Sequence, residues 1–282
     1  MNDRKQSHPI EVGLGGVPET MLWTLHNRAG EARRQDTRLP DPDCVRIYES
    51  IDYDYERSFG KANQTHPHRS MMFDAEVLRF LGEHPNGVVV ELGAGLETQY
   101  QRLQEQAGRW FCVDLPEAIA ARRLFLDETE TCRYIEKSAT DLSWLDDLGD
   151  DVDEVFISAQ GLLMYFEESD VADLVATAMG RFDDVTLMFD TIPRFFSRKT
   201  MSGYNVTEEY IAPPMPWGIA PSAIEPTLKA WSAHVRTVEL LPYGAFRGLA
   251  ARAMPLFRLP LLRNGAPTIT VATGGRASGA DW

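Results

Sequence analysis

The residues from Val88 to Thr98 read VVVELGAGLET, an apolar run that ends in an acid, Glu91, followed by a glycine turn. Chains with this pattern form a buried strand, a tight turn and a helix, and the glycines Gly93 and Gly95 let the backbone approach a ligand closely. A ligand can then sit at the carboxyl end of the strand, against the helix N-terminus. A dinucleotide fingerprint needs a small third residue at position 98, where this chain has Thr98. Glu97 also puts negative charge where a pyrophosphate would rest, so the turn suits a cationic ligand better than a polyphosphate. Twenty-one residues after Gly93, Asp114 closes the next apolar run, where a carboxylate can accept both hydroxyls of a ribose. A glycine turn that only joins strand to helix remains open on this evidence.

The elements that must position these groups alternate. Strands are expected at Val88 to Leu92, Trp110 to Val113, Arg133 to Ile135, Glu154 to Ser158 and Val185 to Phe189. Helices are expected at about 97 to 106, 116 to 126 and 168 to 180. Alternation implies parallel pairing through right-handed crossovers, hence a doubly wound α/β sheet with helices on both faces. Two further strands, Thr237 to Leu241 and Thr268 to Ala272, bring the sheet to about seven. Upstream, residues 19 to 35 read as a helix with Met21, Leu22 and Leu25 inward and Arg28, Arg33 and Arg34 outward or near its end. A Pro/Asp loop follows at Leu39 to Asp43, then a helix from Arg69 to Leu81. Residues 1 to 68 are thus an N-terminal helical extension and cap, and 69 to 282 the α/β domain. Within it, 194 to 221, which contains PPMPWG, has no clear period and reads as a long functional loop, 245 to 262 is amphipathic, and the two are expected as lid insertions. The last residues, around GGRASGADW, read as a disordered tail.

Composition narrows the partners. A formal charge of −14 disfavours nucleic acid, which needs clustered Lys and Arg. The charge is uneven, however, with ten Lys or Arg against five Asp or Glu from Arg194 onward, which fits either solvated helix faces or a locally cationic lid. No apolar run suggests a membrane span, the polar N-terminus has no signal-peptide core, and three cysteines form no framework, all of which fit a cytoplasmic protein. His66 and His68, split by Pro67, are read as polar loop residues rather than metal ligands, and no metal is expected.

The ordered segments LGAGLETQYQRL, WFCVDLPEAIAARR, SATDLSWL and ISAQGLLMYF resemble the leucine carboxyl methyltransferase superfamily, and within it the bacterial polyketide-type, tetracenomycin carboxyl methyltransferase-like O-methyltransferases. The resemblance runs from about Gly16 to Gly218 and is weak beyond Trp231. It implies a class I, Rossmann-like methyltransferase fold and S-adenosyl-L-methionine as cofactor. Arg69 would hold the cofactor's carboxylate, Gly93, Ala94 and Gly95 would pass under its methionine part, Asp114 would hold the ribose, and Asp141 and Leu142 would flank the adenine. Gln160 stands where many relatives have glutamate beside the cofactor's amino group, and Glu91, Leu115 and Gly161 complete the implied site. Gln99 replaces an arginine of many relatives, so that arginine's contacts do not carry over.

The acceptor is expected to be a carboxylate or phenolic oxygen of a small molecule. A carboxylate needs no base, whereas a phenol benefits from one. Candidates for a base by type and position are Tyr204, His234 and Asp190, with none unmistakable. Tyr204, Met215 and Trp217 would enclose a ring system as a lid, and Arg194, Arg198 or Arg247 would meet an anionic group on it. Alternatively, the same Pro-rich aromatic surface packs against a second subunit of a homodimer. Rival functions are a non-catalytic cofactor-binding regulatory module, a methyltransferase acting on a protein C-terminus, and a nicotinamide oxidoreductase, which Glu97 and Thr98 disfavour.

Overall fold

The computed structural model describes residue 10 and residues 12–253, 264–265 and 267–276. The chain opens with α1 (Thr20–Ala32), α2 (Pro42–Ser50), α3 (Tyr55–Phe59) and α4 (Thr65–Glu83). The Pro/Asp cluster expected as a loop is the start of α2, because Asp41 accepts a hydrogen bond from the Cys44 N–H and Pro42 occupies the first turn, where its missing N–H costs nothing. Asp54 caps α3 in the same way and Gly60 ends it. Met21, Leu22, Leu25 and Ala29 of α1 pack on Cys44, Ile47, Tyr55 and Phe59.

The alternating region follows as β1 (Val88–Leu92), α5 (Gln99–Leu103), β2 (Trp110–Asp114), α6 (Pro116–Arg123), β3 (Cys132–Glu136), β4 (Glu154–Ala159), α7 (Glu168–Arg181) and β5 (Asp184–Thr191). Then come α8 (Arg194–Met201), the short pair β6 (Tyr204–Asn205) and β7 (Ile211–Ala212), α9 (Pro221–Trp231), β8 (Val235–Pro242), α10 (Gly248–Ala253) and β9 (Thr268–Gly274). Seven strands form one sheet in the order β3-β2-β1-β4-β5-β9-β8, with β9 antiparallel to both neighbours and β1 to β5 parallel. Of the parallel strands, β1, β2, β4 and β5 are covered on both faces, while the edge strand β3 exposes Arg133 and Glu136. Val88, Val90 and Leu92 of β1 join Trp144, Leu174 and Phe189 on one side, while Val89 joins Phe73, Phe80 and Trp110 on the other. Strand order reverses between β1 and β4, and the crevice outside their carboxyl ends is where such sheets bind ligands.

Several expectations are corrected. The helix expected from Arg69 begins at Thr65, so the division drawn between residues 68 and 69 falls inside α4, and His66, Pro67 and His68 lie in its first turn rather than in a loop. A proline is tolerated there for the same reason as in α2. Residues 194 to 221 are not one loop, since they hold α8 and the β6–β7 pair. The helix α9 was not expected at all. Of the 245 to 262 stretch, α10 is described and residues 254–262 lie outside the described residues, as do residues 277–282 of the tail. No described helix is long and apolar enough to cross a membrane.

Candidate active site

A cavity of about 230 Å³ opens at the β1/β4 crevice. Its floor is the turn after β1, lined by Glu91, Gly93, Ala94 and Gly95, and Asp114 and Leu115 line it at the end of β2. Arg69 from α4 and Gln160 and Gly161 after β4 supply a further wall. Nine of the expected cofactor residues therefore come together. Gly93 has φ of 65°, and a Cβ there would meet Leu162 at 2.7 Å, so both backbone and space call for glycine. Asp114 is anchored, with Oδ2 accepting from Gly95 N at 2.8 Å and Oδ1 from Leu115 N at 2.7 Å. Burial nevertheless raises its carboxyl above the usual range. Glu91 is pushed up further by burial and by the neighbouring Cys112 thiol, and its Oε1 has no hydrogen-bond partner.

Asp141 and Leu142 are not among the residues lining the cavity. Asp141 is exposed and caps the 3-10 turn Leu142–Leu148 through Ser143, and Ser138 and Ala139 form the wall on that side. The bare negative charge expected at Glu97 is also corrected. Although burial opposes ionisation, Arg28 and Arg102 bring its carboxyl down to about 2, each donating to it at 2.8 Å. Its charge is matched by arginines and gives no argument against a pyrophosphate.

None of the three base candidates lines the cavity. Asp190 is 1% exposed and engaged by Arg69 Nη1 at 2.9 Å, Gly161 N at 2.5 Å and the Tyr243 hydroxyl at 3.1 Å. His234 precedes β8, where Gly275 donates to its carbonyl and Gly274 pairs with Val185, at the end of the sheet away from the cavity. Tyr204 packs edge-on against Phe196 at 5.3 Å beneath Lys199. The proposed lid residues fare similarly. Arg194 is exposed on α8 and Met215 is buried with Met164, Ile192 and Ala212. Trp217, 3% exposed, packs at a tilt 6.1 Å from Phe189 and 6.2 Å from Trp231 inside the sheet core. An aperiodic segment rich in large apolar groups has its largest ring, Trp217, in that core rather than over the cavity. Arg198 is exposed, and Arg247 is paired with Glu31 and Asp36.

The roof comes from residues that the sequence reading did not place at the site: Val17 and Pro18 before α1, Thr20, Met21 and Thr24 in its first turns, and Tyr165 and Phe166. Arg28 of the same helix, expected outward or near its end, is instead fully buried and donates to Leu96 O at 2.8 Å and to Thr98 Oγ1 at 2.9 Å, while Arg122 of α6 donates to Gly95 O at 3.0 Å and Glu97 O at 2.7 Å. Two buried guanidinium groups thus hold the carbonyls of the cavity floor. The signal for Arg28 was present, because Met21, Leu25 and Arg28 fall four and three residues apart on one helix face, and an arginine on an apolar stripe must be paired.

The sequence model of the leucine carboxyl methyltransferases matches residues 25–179, more than half of the chain. A curated relative, the tetracenomycin polyketide synthesis O-methyltransferase of Streptomyces glaucescens, is 30% identical over 184 residues, which cover 64% of this chain and 68% of that one. The chain belongs to the leucine carboxyl methyltransferase family. As a member of that family it is an S-adenosylmethionine-dependent methyltransferase. The plantazolicin methyltransferase solved with S-adenosylhomocysteine has the same fold, at a TM-score of 0.50 and 12% identity over 93% of this chain and 100% of that one. A LepI chain solved with S-adenosylhomocysteine and a substrate analogue reaches a TM-score of 0.45 at 14% identity over 71% of this chain, which spans 46% of that one.

Proposed function

We propose that the cavity holds S-adenosylmethionine and that its methyl group passes to an oxygen of a small secondary metabolite, with a carboxylate favoured over a phenol. The observation that carries this is the meeting, around one cavity, of the Gly93 turn, the anchored Asp114 and the buried Arg69. The residues fit the donor's chemistry. Arg69 is a cation for its carboxylate, Asp114 stands at the strand end suited to a ribose, and Glu91 Oε1 and Gln160 lie on the side of its ammonium group. Leu115 and Ala139 give apolar surface for the base, in place of Asp141 and Leu142.

Bound in this cavity, the sulfonium donor supplies an electrophilic methyl carbon for in-line attack by the acceptor oxygen. The protein's task is to orient the two and exclude water. The lining residues support an acceptor that arrives ionised. Tyr165 is pushed up to about 12 by burial, the Glu97 carboxylate is tied to two arginines, and Asp114 is engaged by two backbone N–H groups. None of these three is placed to take a proton from a phenol, and Glu91, whose carboxyl burial raises, is assigned to the donor's ammonium group. The roof of Val17, Pro18, Met21 and Phe166 offers apolar surface to a ring-bearing acceptor.

A net charge of −14 favours a small-molecule partner over nucleic acid, and three free buried cysteines fit a cytoplasmic setting. The exposed Phe195, Met201 and Ile211 around the 194 to 221 segment support a homodimer contact there, which sedimentation at several concentrations would test. The methyl-transfer reading is tested by incubating the protein with labelled donor and a panel of aromatic acids, phenols and peptides with free C-termini. Methyl esters of the acids are expected by mass spectrometry. Donor binding without any product would favour the regulatory module, and labelled peptide alone would favour a protein acceptor.

A further inference from the structure

Asp190 lies at the carboxyl end of β5, and its side chain is 1% exposed. Its described contacts are with donors of the cavity wall and its backing. Oδ2 accepts from Arg69 Nη1 at 2.9 Å and from the Tyr243 hydroxyl at 3.1 Å, and Oδ1 accepts from Gly161 N at 2.5 Å. Arg69 and Gly161 both line the cavity, whereas Asp190 and Tyr243 stand behind them. A buried guanidinium needs a counter-charge, and one fixed carboxylate also selects its orientation, because the planar fork is rigid. On the other side, Gln160 Oε1 accepts from Arg69 Nε at 3.3 Å.

The chain beyond Tyr243 is fastened to the helix that carries Arg69. His68 Nδ1 lies 3.0 Å from Gly244 O, and Gln64 Oε1 accepts from Phe246 N at 3.2 Å and Arg247 N at 2.7 Å. Arg247 then pairs with Glu31 and Asp36 near the end of α1. The segment 243 to 247 thus joins the end of β8 to α4 and α1 at the level of the cavity.

We propose that Asp190 is a positioning residue. Held by Tyr243, it aims the Arg69 guanidinium at the donor's carboxylate, and residues 243 to 247 splint α4 so that the aim is kept. The proposal rests on the reading that Arg69 meets that carboxylate. It gives the C-terminal part of the chain, β8 and the turn after it, a share in donor binding although only its neighbours line the cavity.

The test measures calorimetric affinities of the full chain for S-adenosylhomocysteine and for its decarboxylated analogue. The proteins are the unaltered chain, Asp190→Asn, Tyr243→Phe and Arg69→Ala, with folding followed by thermal melting. Asp190→Asn is expected to weaken S-adenosylhomocysteine by about tenfold and the analogue by less than about twofold, since only the first ligand has a carboxylate for the guanidinium. Tyr243→Phe should follow the same pattern at about threefold, because it loosens the carboxylate without removing the counter-charge, and it decides the matter if Asp190→Asn does not fold. Equal losses for both ligands would assign Asp190 a merely structural role and overturn the proposal. So would tighter binding of S-adenosylhomocysteine, which would show Asp190 competing with the donor for Arg69. If Arg69→Ala itself fails to distinguish the ligands, the underlying reading falls. If it does distinguish them and neither other variant does, the positioning proposal alone falls.

Discussion

Gly161 stands so close to Arg69 that a Cβ on it would lie 2.6 Å from Nη1, at a backbone φ of 70°. An L side chain there is strained and also pushes the guanidinium away. Gly161→Ala is therefore expected to lower affinity for S-adenosylhomocysteine by about tenfold, the scale of losing a charge-assisted pair. The left-handed backbone should cost stability by about 1–2 kcal/mol. Calorimetry and melting read the two effects separately, and unchanged affinity would mean that Arg69 is not held against the donor.

Trp217 gives a different outcome from that expected of a lid. With its ring packed on Phe189 and Trp231 in the sheet core, Trp217→Ala leaves a large void and should destabilise the fold by about 3–5 kcal/mol. Denaturant unfolding measures this, and the affinity of the folded fraction for S-adenosylhomocysteine should stay unchanged. A normal midpoint with a raised acceptor KM would restore the lid.

His234 is the simplest of the base candidates to dismiss by experiment. It lies at the far end of the sheet, beside Gly180 and the end of β9, so His234→Ala should leave kcat within about twofold, as for substitutions that touch no functional group. A loss of kcat with an altered pH profile would contradict this placement.

The sheet was legible because its inner parallel strands, buried on both faces, are mostly apolar runs, and the edge strand β3 shows Tyr134 and Ile135 between charged residues. Val88 to Leu92 agrees with its expected bounds, and the others agree to within one or two residues. The floor of the cavity was legible for a local reason, since Gly93, Gly95 and Asp114 take their places from the backbone at the ends of β1 and β2. The roof was not. Thr20, Met21 and Thr24 face the cavity only because α1 packs against α4 and the turn after β1, and that packing is set by long-range pairs such as Arg28 with Glu97. The 194 to 221 segment misled for a related reason. Its apolar residues follow no period because they are divided between the sheet core, where Trp217 lies, and a small separate cluster around Met215.

The Arg28, Arg102 and Glu97 cluster makes stability depend on pH in a definite direction. Glu97 falls from an ordinary 4.5 in the unfolded chain to about 2 in the fold, because the two arginines outweigh the burial that opposes its charge. A depressed carboxyl stabilises the fold while it is ionised, so the contribution is full above 4.5 and is lost as pH falls toward 2. Its size is on the order of 3 kcal/mol from the linkage relation. Glu97→Gln mimics the protonated group, so the stability gap between the two proteins should be widest above about pH 5 and should close as the medium is acidified. Asp41 and Asp74, which also meet Arg102, are common to both proteins, so the difference isolates Glu97. Denaturant unfolding at a series of pH values gives the gap directly. A gap that stayed constant down to the lowest pH at which both proteins fold would show that Glu97 owes its place to hydrogen bonding and packing rather than to its charge.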